Sequence, residues 1–282
     1  MYITFRLLDF ADLTVDGSIA TGAAVSVMLI RAGVSPIATL PIAFLAGALA
    51  GMVTGLLNTA LGIPGILASI LTQISLYSIN LNIMGKANQP VSVDNYPLVV
   101  SLRYVTDGSV SRLLFFLGMI VFLLALIAVM YWYFGTEQGH AIRATGCNSN
   151  MARAQGINTN FIKVLALMIS NGLVGLCGAL YGQFQGASDV NMGRGAIVIG
   201  LAAVIIGEVL FGKFASKRKL AFAFTLASVI LGAVIYYMVY QFVLWLKMPS
   251  EDMKLFSAIV VAIFLAIPYL KEKRTLRKGA SK

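Results

Sequence analysis

Long apolar runs constrain this chain more than any other feature of its sequence. Hydrophobic residues make up 59% of its 282 residues and charged residues only 11%, whereas soluble domains carry about 25% charged residues. A soluble fold is excluded, because one aqueous core cannot bury so much apolar surface. A β-barrel is excluded, because the continuous apolar runs do not alternate as barrel strands do. We predict an all-α polytopic membrane protein with about eight transmembrane helices of roughly 20 residues each. We expect these helices to pack through small residues and some of them to be broken or re-entrant. The predicted spans are 13–31, 37–59, 63–83, 113–134, 161–183, 196–211, 220–246 and 255–270.

Positive charge sets the expected orientation of these spans. The net charge is +10, and the excess is concentrated in three polar segments at 135–163, 212–219 and 271–282. Because short Lys- and Arg-rich segments beside apolar spans face the cytoplasm, we expect a multi-pass protein of a bacterial cell membrane with its basic tail 271–282 inside. Alternation then places 135–160 inside and makes 84–112 an ordered outer loop. No nucleic-acid-binding module is visible, so 1–282 is interpreted as a single transmembrane domain surrounded by lipid.

Glycines at four-residue spacing predict close helix packing. Gly47, Gly51 and Gly55 share one face of the second span, and Gly178 and Gly182 share one face of the fifth. A helix face without side chains lets a neighbouring backbone approach closely. We therefore assign these glycines to helix packing rather than to a transport role of their own.

Polar side chains within spans are candidates for a solute path, because each is costly in hydrocarbon unless it faces protein or water. Asn58, Gln73 and Asn80 meet this description. Pro64 precedes Gln73, so we expect the third span to begin as a broken helix that exposes backbone groups near the path.

Glu208 is the only acid well inside an apolar run. It is either a pathway or proton-carrying acid, or a carboxylate near the end of its span that pairs with a basic residue such as Lys213. We favour the second interpretation, because Glu208 lies only about one turn from the predicted boundary.

Neither catalysis nor a metal site is expected in this chain. His140 is the one histidine and is accompanied by only two cysteines, which does not fit the usual metal-ligand spacings or a nucleophile–histidine pair. The sequence also contains no phosphate-binding loop. We predict a non-enzymatic subunit without a cofactor of its own, so that any ATP and Mg²⁺ would be bound by a separate ATPase subunit.

The inward segment contains a short predicted helix. Asn148 or Ser149 caps its start and Gly156 ends it. Such a helix is too short to span the membrane and too polar to be buried in lipid, so it would present Met151 and Ile157 at the membrane surface. An exposed short amphipathic helix can dock in the groove of another protein, although a plain surface loop is an equal alternative.

Four segments in this order carry recognisable motifs. They are DLTVDGSIATGAAV at 12–25, AGALAGMVTGLLNTALGIPGILASILT at 46–72, RATGCNSNMARAQGINTNFIKVLALMISNGLVGLCGALYG at 143–182 and GALYGQFQGASDVNMGRGAIVIGLAAVIIGEVLFG at 178–212. Together they resemble permeases of ABC importers, in the branched-chain amino acid and ribose permease family. FRLLDFADLTVDGS and LYSINLNIMGKAN look like the tryptophan/tyrosine-type subgroup, and Asp16 stands where sugar-type members carry glycine.

The resemblance implies a homodimer of permeases beside two cytoplasmic ATP-binding cassette ATPase subunits. An extracytoplasmic substrate-binding lipoprotein would deliver a small solute, expected to be an amino acid and within the subgroup an aromatic one. The segment 143–182 would contain the family's coupling loop, and members carry a further apolar helix ahead of the segment that begins this chain. The coupling residues implied by the resemblance are Arg143, Gly146, Asn148, Met151, Ala152, Gly156 and Ile157.

Three alternatives stay open from the residues. The first is a secondary transporter or channel that uses an ion gradient with Glu208 as its intramembrane acid. The second is an ABC permease for a sugar or nucleoside. The third is a structural membrane scaffold, for which substitutions in the inward loop would be harmless.

Overall fold

The chain divides into two compact units, one of Met1 and Ile3–Ile197 and the other of Tyr2 and Val198–Lys282. The computed structural model describes residues 1–92, 96, 98–100, 112–215, 221–245, 262 and 266. Within those residues, five helices are long and apolar enough to cross a membrane. The predicted span 255–270 apart from residues 262 and 266, the basic tail 271–282 and much of the loop 84–112 lie outside the described residues.

Seven long helices follow the first seven predicted spans within a few residues at each end. In the first unit, a π-helical turn Ile3–Leu7 precedes α1 Val15–Arg31, α2 Pro36–Thr59, α3 Gly65–Met84, β1 Asn88–Pro90, α4 Arg112–Phe134, α5 Glu137–Cys147, α6 Ser149–Ala154, α7 Thr159–Gln185 and β2 Ala187–Asp189. The remaining described helices are α8 Ala196–Ala215, which begins at the end of the first unit, and α9 Ala221–Trp245.

Helices α2 and α7 pack with no side chain between them at two glycines. A Cβ atom added at Gly47 would lie 2.2 Å from the carbonyl oxygen of Asn171, and one at Gly51 would lie 2.2 Å from that of Leu167. At Gly55 the nearest backbone atom of α7 would be 2.9 Å away. Because real Cβ atoms do not approach so closely, only glycine allows this separation of the two helices.

Helix α1 packs on the other glycines of α7. A Cβ atom at Gly178 would lie 2.1 Å from the carbonyl oxygen of Ile19, and one at Gly182 would lie 3.1 Å from the Cβ atom of Ala23. All five glycines chosen from the sequence therefore lie where α7 meets α1 or α2.

The third predicted span does not begin as a broken helix, and that prediction is wrong. Helix α3 runs without interruption from Gly65, and Pro64 occupies its N-cap position. A proline at a helix start loses no backbone hydrogen bond and presets the helical φ, so it starts the helix instead of breaking it. Asn58 closes the turn before α3, because its Nδ2 donates to the carbonyl oxygen of Ile63 at 2.8 Å.

A two-stranded antiparallel ribbon marks one end of the first unit, which we call the strand end. Asn88 pairs with Asp189 and Pro90 with Ala187. Gly186 adopts a positive φ of 68°, which lets the chain leave α7 and turn into β2. The opposite end of α7 carries α5 and α6, and we call it the short-helix end.

The described helices of the second unit also pack through glycine. A Cβ atom at Gly207 would lie 2.3 Å from the carbonyl oxygen of Ser228, and one at Gly232 would lie 2.1 Å from that of Ala203. Glu208 follows Gly207 on α8 and is half-buried.

Candidate coupling surface and solute cavity

The recognisable motif at the short-helix end folds into two short helices joined by Asn148. The Asn148 side-chain oxygen accepts hydrogen bonds from the backbone N–H groups of Asn150 at 3.1 Å and Met151 at 3.0 Å, and thereby caps α6. Gly156 has a φ of +84°, which ends the helical stretch as glycine does at a helix C-terminus. The short helix predicted from the sequence is therefore present, but α5 before it was not predicted.

Helix α5 is seated on two neighbouring elements. A Cβ atom at Gly146 would lie 1.9 Å from the carbonyl oxygen of Leu7 in the N-terminal turn. The Arg143 guanidinium lies 5.8 Å from the centre of the Phe134 ring at the end of α4, within the range of a cation–π contact. Ile142 on the same helix is fully buried. A displacement of α5 therefore has to move the end of α4 or the N-terminal turn.

Helix α6 is held on one side and open on the other. Ala152 is buried, whereas the Met151 side chain is 64% exposed. The Arg153 guanidinium donates to Thr159 Oγ1 at 3.2 Å and ties α6 to the start of α7. The exposed side of α6, with Met151 at its centre, can therefore contact another protein without rearrangement of the fold.

A groove of about 590 Å³ lies beside α5. Ile157, which lines the groove, lies three residues after the end of α6, and we call the groove and the exposed side of α6 together the coupling surface. Sequence reasoning missed the contribution of Glu137 and His140, because neither belongs to the motif that identified the segment. The groove is lined by Gly135, Glu137, His140, Ala141, Ala144 and Ile157.

A buried hydrogen-bonded group joins the start of α1 to the middle of α7. Asn171 Nδ2 donates to Asp12 Oδ2 at 2.7 Å, and Ser18 Oγ donates to Asn171 Oδ1 at 2.7 Å. The backbone N–H of Thr14 donates to Asp12 Oδ1 at 3.0 Å. All of these side chains are buried, so the carboxylate is removed from solvent but keeps polar partners.

Three threonine hydroxyls extend this group to α2 and α3. The Oγ1 atoms of Thr14 and Thr54 lie 2.8 Å apart, and Thr54 Oγ1 donates to Thr72 Oγ1 at 3.0 Å. The segment before α1 thus contacts α2, α3 and α7 through polar groups at one place. We call this set the polar core; it consists of Asp12, Thr14, Ser18, Thr54, Thr72 and Asn171.

A second polar contact lies nearer the strand end. Gln183 Nε2 lies 3.2 Å from Ser26 Oγ and 3.3 Å from Thr39 Oγ1, while Gln183 Oε1 accepts from the backbone N–H of Val99 at 3.1 Å. One fully buried side chain on α7 therefore connects α1, α2 and the segment that leads from β1 towards α4.

A cavity of about 310 Å³ lies between the first turn of α1, α3 and the segment after β2. Two of the three path residues chosen from the sequence, Gln73 and Asn80, line it, whereas Asn58 lies at the turn between α2 and α3. Asp16, Tyr77, Asn191 and Arg194 complete the polar part of the wall. We call this space the solute cavity.

Asp16 and Asn80 differ in how their polar atoms are satisfied. The two Asp16 carboxylate oxygens accept from the backbone N–H groups of Gly195 and Ile197, each at 3.0 Å. Asn80 is fully buried, and neither its amide nitrogen nor its amide oxygen has a hydrogen-bond partner among the described residues.

Comparisons with known proteins agree with this architecture. The family model described as branched-chain amino acid transport system / permease component matches residues 1–268. A tyrosine transport system permease protein of Clostridioides difficile (strain R20291) is 40% identical over 266 residues, which cover 94% of this chain and 84% of that protein. An uncharacterized protein, RP368, of Rickettsia prowazekii (strain Madrid E) is 32% identical over 270 residues, covering 94% and 90%.

A more distant relative belongs to the same class. The inner membrane ABC transporter permease protein YjfF of Escherichia coli (strain K12) is 26% identical over 210 residues, which cover 74% of this chain and 62% of that protein. No solved structure matches the chain. The resemblance inferred from the four motifs is confirmed, and it leaves the secondary-transporter interpretation of Glu208 without support. The chain therefore belongs to the branched-chain amino acid transport system / permease component family, as a multi-pass helical permease of an ABC transporter.

Proposed function

We propose that this chain is the permease subunit of an ABC importer for an amino acid, and that this amino acid is aromatic. The importer proposal depends chiefly on the coupling surface, where α5 and α6 expose Met151 and are seated on α4 and the N-terminal turn. An aromatic substrate is supported by the relative from Clostridioides difficile, which is named for tyrosine transport. A sugar or nucleoside substrate has less support for the same reason.

The short-helix end faces the cytoplasm in this proposal, and so does the C-terminal tail. The excess of lysine and arginine in 135–163, 212–219 and 271–282 supports this orientation through the positive-inside rule. The strand end then faces outwards, where an extracytoplasmic substrate-binding lipoprotein would deliver the solute.

An ATP-binding cassette subunit docks on the coupling surface. Asn148, Met151 and Gly156 are exposed there and contact the ATPase directly, while Ile157 lines the groove beside them. Arg143, Gly146 and Ala152 hold the two short helices in position behind that contact. ATP and Mg²⁺ bind to the ATPase subunit, and this chain supplies the mechanical connection but no catalytic group.

The connection leads from the coupling surface to the polar core. Movement of α5 is passed through Gly146 to Leu7 in the N-terminal turn, and the chain continues from this turn directly to Asp12. Because Asp12 is hydrogen-bonded to α7 through Asn171, the same displacement biases how α1 sits against α7. ATP binding would in this way shift the population of inward-open and outward-open states.

A second copy of the permease completes the path, which runs along the axis of the homodimer. Gln73 and Asn80 face this path through the solute cavity, and Asn58 remains a predicted path residue at the cytoplasmic side. Membrane lipid covers α4, where apolar side chains such as Phe116 and Trp132 are 56% and 72% exposed.

The proposal is tested by Met151→Asp in the transporter reconstituted with its ATPase subunit. A carboxylate placed in an apolar docking contact has to be desolvated, so we expect the ATPase to associate roughly 10- to 100-fold more weakly. Uptake of labelled L-tyrosine into proteoliposomes should fall accordingly, while the variant still inserts into the membrane.

Ala87→Asp is the matched control, because it adds the same charge at an exposed position of the strand end. The amount of ATPase that co-purifies with Ala87→Asp should equal that of the unmodified permease. Equal recovery of ATPase with Met151→Asp would show that the contact lies elsewhere and would overturn the proposal.

A further inference from the structure

The solute cavity holds one cationic and one anionic side chain that do not pair with each other. Arg194 and Asp16 both line it, and no ion pair or side-chain hydrogen bond of Arg194 occurs among the described residues. The Asp16 oxygens each accept one backbone N–H group, so each oxygen keeps a lone pair for a further donor. Two opposite charges held apart in one cavity suit a ligand that carries both charges itself.

Asn80 points to a ligand independently of these charges. Its side chain is fully buried, and its amide nitrogen and oxygen both lack a partner in the described part of the chain. Buried polar groups are almost always hydrogen-bonded, because an unpaired one loses its water without compensation. A ligand that offers both a donor and an acceptor would satisfy both atoms.

The size of the cavity limits the ligand to a small molecule. Its volume of about 310 Å³ lies at the small end of the range for ligand pockets, roughly 300–1,000 Å³. Tyr77 and Ile74 line the same space and offer an aromatic and an aliphatic surface. A sugar would leave both charges unmatched, whereas a zwitterion with an apolar side chain matches the two charges and the apolar surfaces.

We propose that the solute cavity binds the head group of a free α-amino acid, with Arg194 on the carboxylate, Asp16 on the ammonium group and Asn80 bridging the two. Tyr77 packs beside the side chain of the ligand. This assignment rests on the proposed function and adds to it the residues that select a zwitterion.

The test measures binding to the permease–ATPase complex in lipid nanodiscs, with L-phenylalanine and two analogues that each lack one charge. Phenethylamine lacks the carboxylate, and 3-phenylpropionate lacks the ammonium group. In Arg194→Gln, the affinity for L-phenylalanine should fall roughly 10- to 100-fold, the range of a charged hydrogen bond. The affinity for phenethylamine should not change, because this analogue has no group for Arg194 to bind.

Two further variants separate ligand binding from folding. Asn80→Leu removes both unpartnered atoms, so it should weaken L-phenylalanine binding without lowering the melting temperature of the complex. Arg31→Gln removes a positive charge outside the cavity, in the last turn of α1, and should leave all three affinities unchanged.

An equal loss of affinity for L-phenylalanine and phenethylamine in Arg194→Gln, or no loss for either, would overturn the assignment. Co-purification of the ATPase distinguishes this failure from failure of the importer proposal. A complex that retains its ATPase but does not discriminate the analogues contradicts only the cavity assignment, whereas absence of the ATPase contradicts the importer proposal itself.

Discussion

The coupling surface and the polar core lie in the same unit, but the hydrogen bonds that stabilise them join residues at very different separations along the chain. At the coupling surface, Asn148 caps α6 by bonding residues two and three positions ahead. In the polar core, Asn171 bonds Asp12 across 159 positions. The coupling surface is therefore set by local chemistry and stays exposed, whereas the polar core exists only once α1 and α7 have packed. The proposed function uses this difference, because the ATPase would contact the exposed coupling surface and the polar core would respond in the interior.

The largest loss of stability is expected where α2 packs closely on α7, because this packing brings the polar core together. In Gly51→Ala the added methyl group would lie 2.2 Å from the Leu167 carbonyl oxygen, so α2 and α7 have to separate. We expect a loss of about 3 kcal/mol in the free energy of unfolding, measured by thermal unfolding in detergent. Gly118→Ala on α4 meets nothing within 4 Å and should be neutral or slightly stabilising. Similar melting temperatures for the two variants would mean that the close approach is not needed.

Two buried asparagines allow the contribution of the polar core to stability to be measured. Asn171→Leu leaves Asp12 and Ser18 without their partner, which should cost about 2 kcal/mol. Asn80→Leu removes a side chain that has no partner among the described residues, so its cost should be close to zero. Denaturation of both variants in the same detergent compares them, and an equal loss would show that the polar core adds nothing to stability.

A smaller effect, on transport per ATP hydrolysed, is expected where α5 contacts the N-terminal turn between the coupling surface and the polar core. Gly146→Ala places a methyl group 1.9 Å from the Leu7 carbonyl oxygen and should shift α5 off the N-terminal turn. We expect the ATPase to co-purify normally, because α6 stays exposed, while transport per ATP hydrolysed falls about tenfold, equivalent to about 1.4 kcal/mol. Uptake and hydrolysis measured in the same proteoliposomes give this ratio. An unchanged ratio would rule out the N-terminal turn as the connection.

Sequence reasoning succeeded where the structure depends on short stretches of chain. Hydropathy located seven spans, and the Asn148 cap and Gly156 stop located α6. Helix α5 was missed because its sequence is polar and its N-cap residue, Thr136, makes no side-chain capping bond. Pro64 was misjudged because a proline is as compatible with the start of a helix as with a break.

Contacts between residues that are far apart in the chain left no comparable pattern in the sequence. Asp12 and Asn171 are far apart in the sequence, and only the packing of α1 on α7 brings them together. Strands β1 and β2 have three residues each, too few for an alternating pattern. Gln73 and Asn80 were chosen as isolated polar residues of one span, and the sequence did not indicate that Asp16 and Arg194 from other segments line the same cavity.

The central claim is that a nucleotide-hydrolysing subunit docks on α6 from the cytoplasmic side. The most direct test is Met151→Cys, combined with Cys147→Ser to remove the neighbouring exposed thiol, in the assembled transporter. A short bifunctional thiol cross-linker should join residue 151 to the ATPase subunit. A membrane-impermeant maleimide added outside intact cells should not label this position. Labelling from outside, or an assembled complex without a cross-link to the ATPase, would show that α6 is not the cytoplasmic docking site.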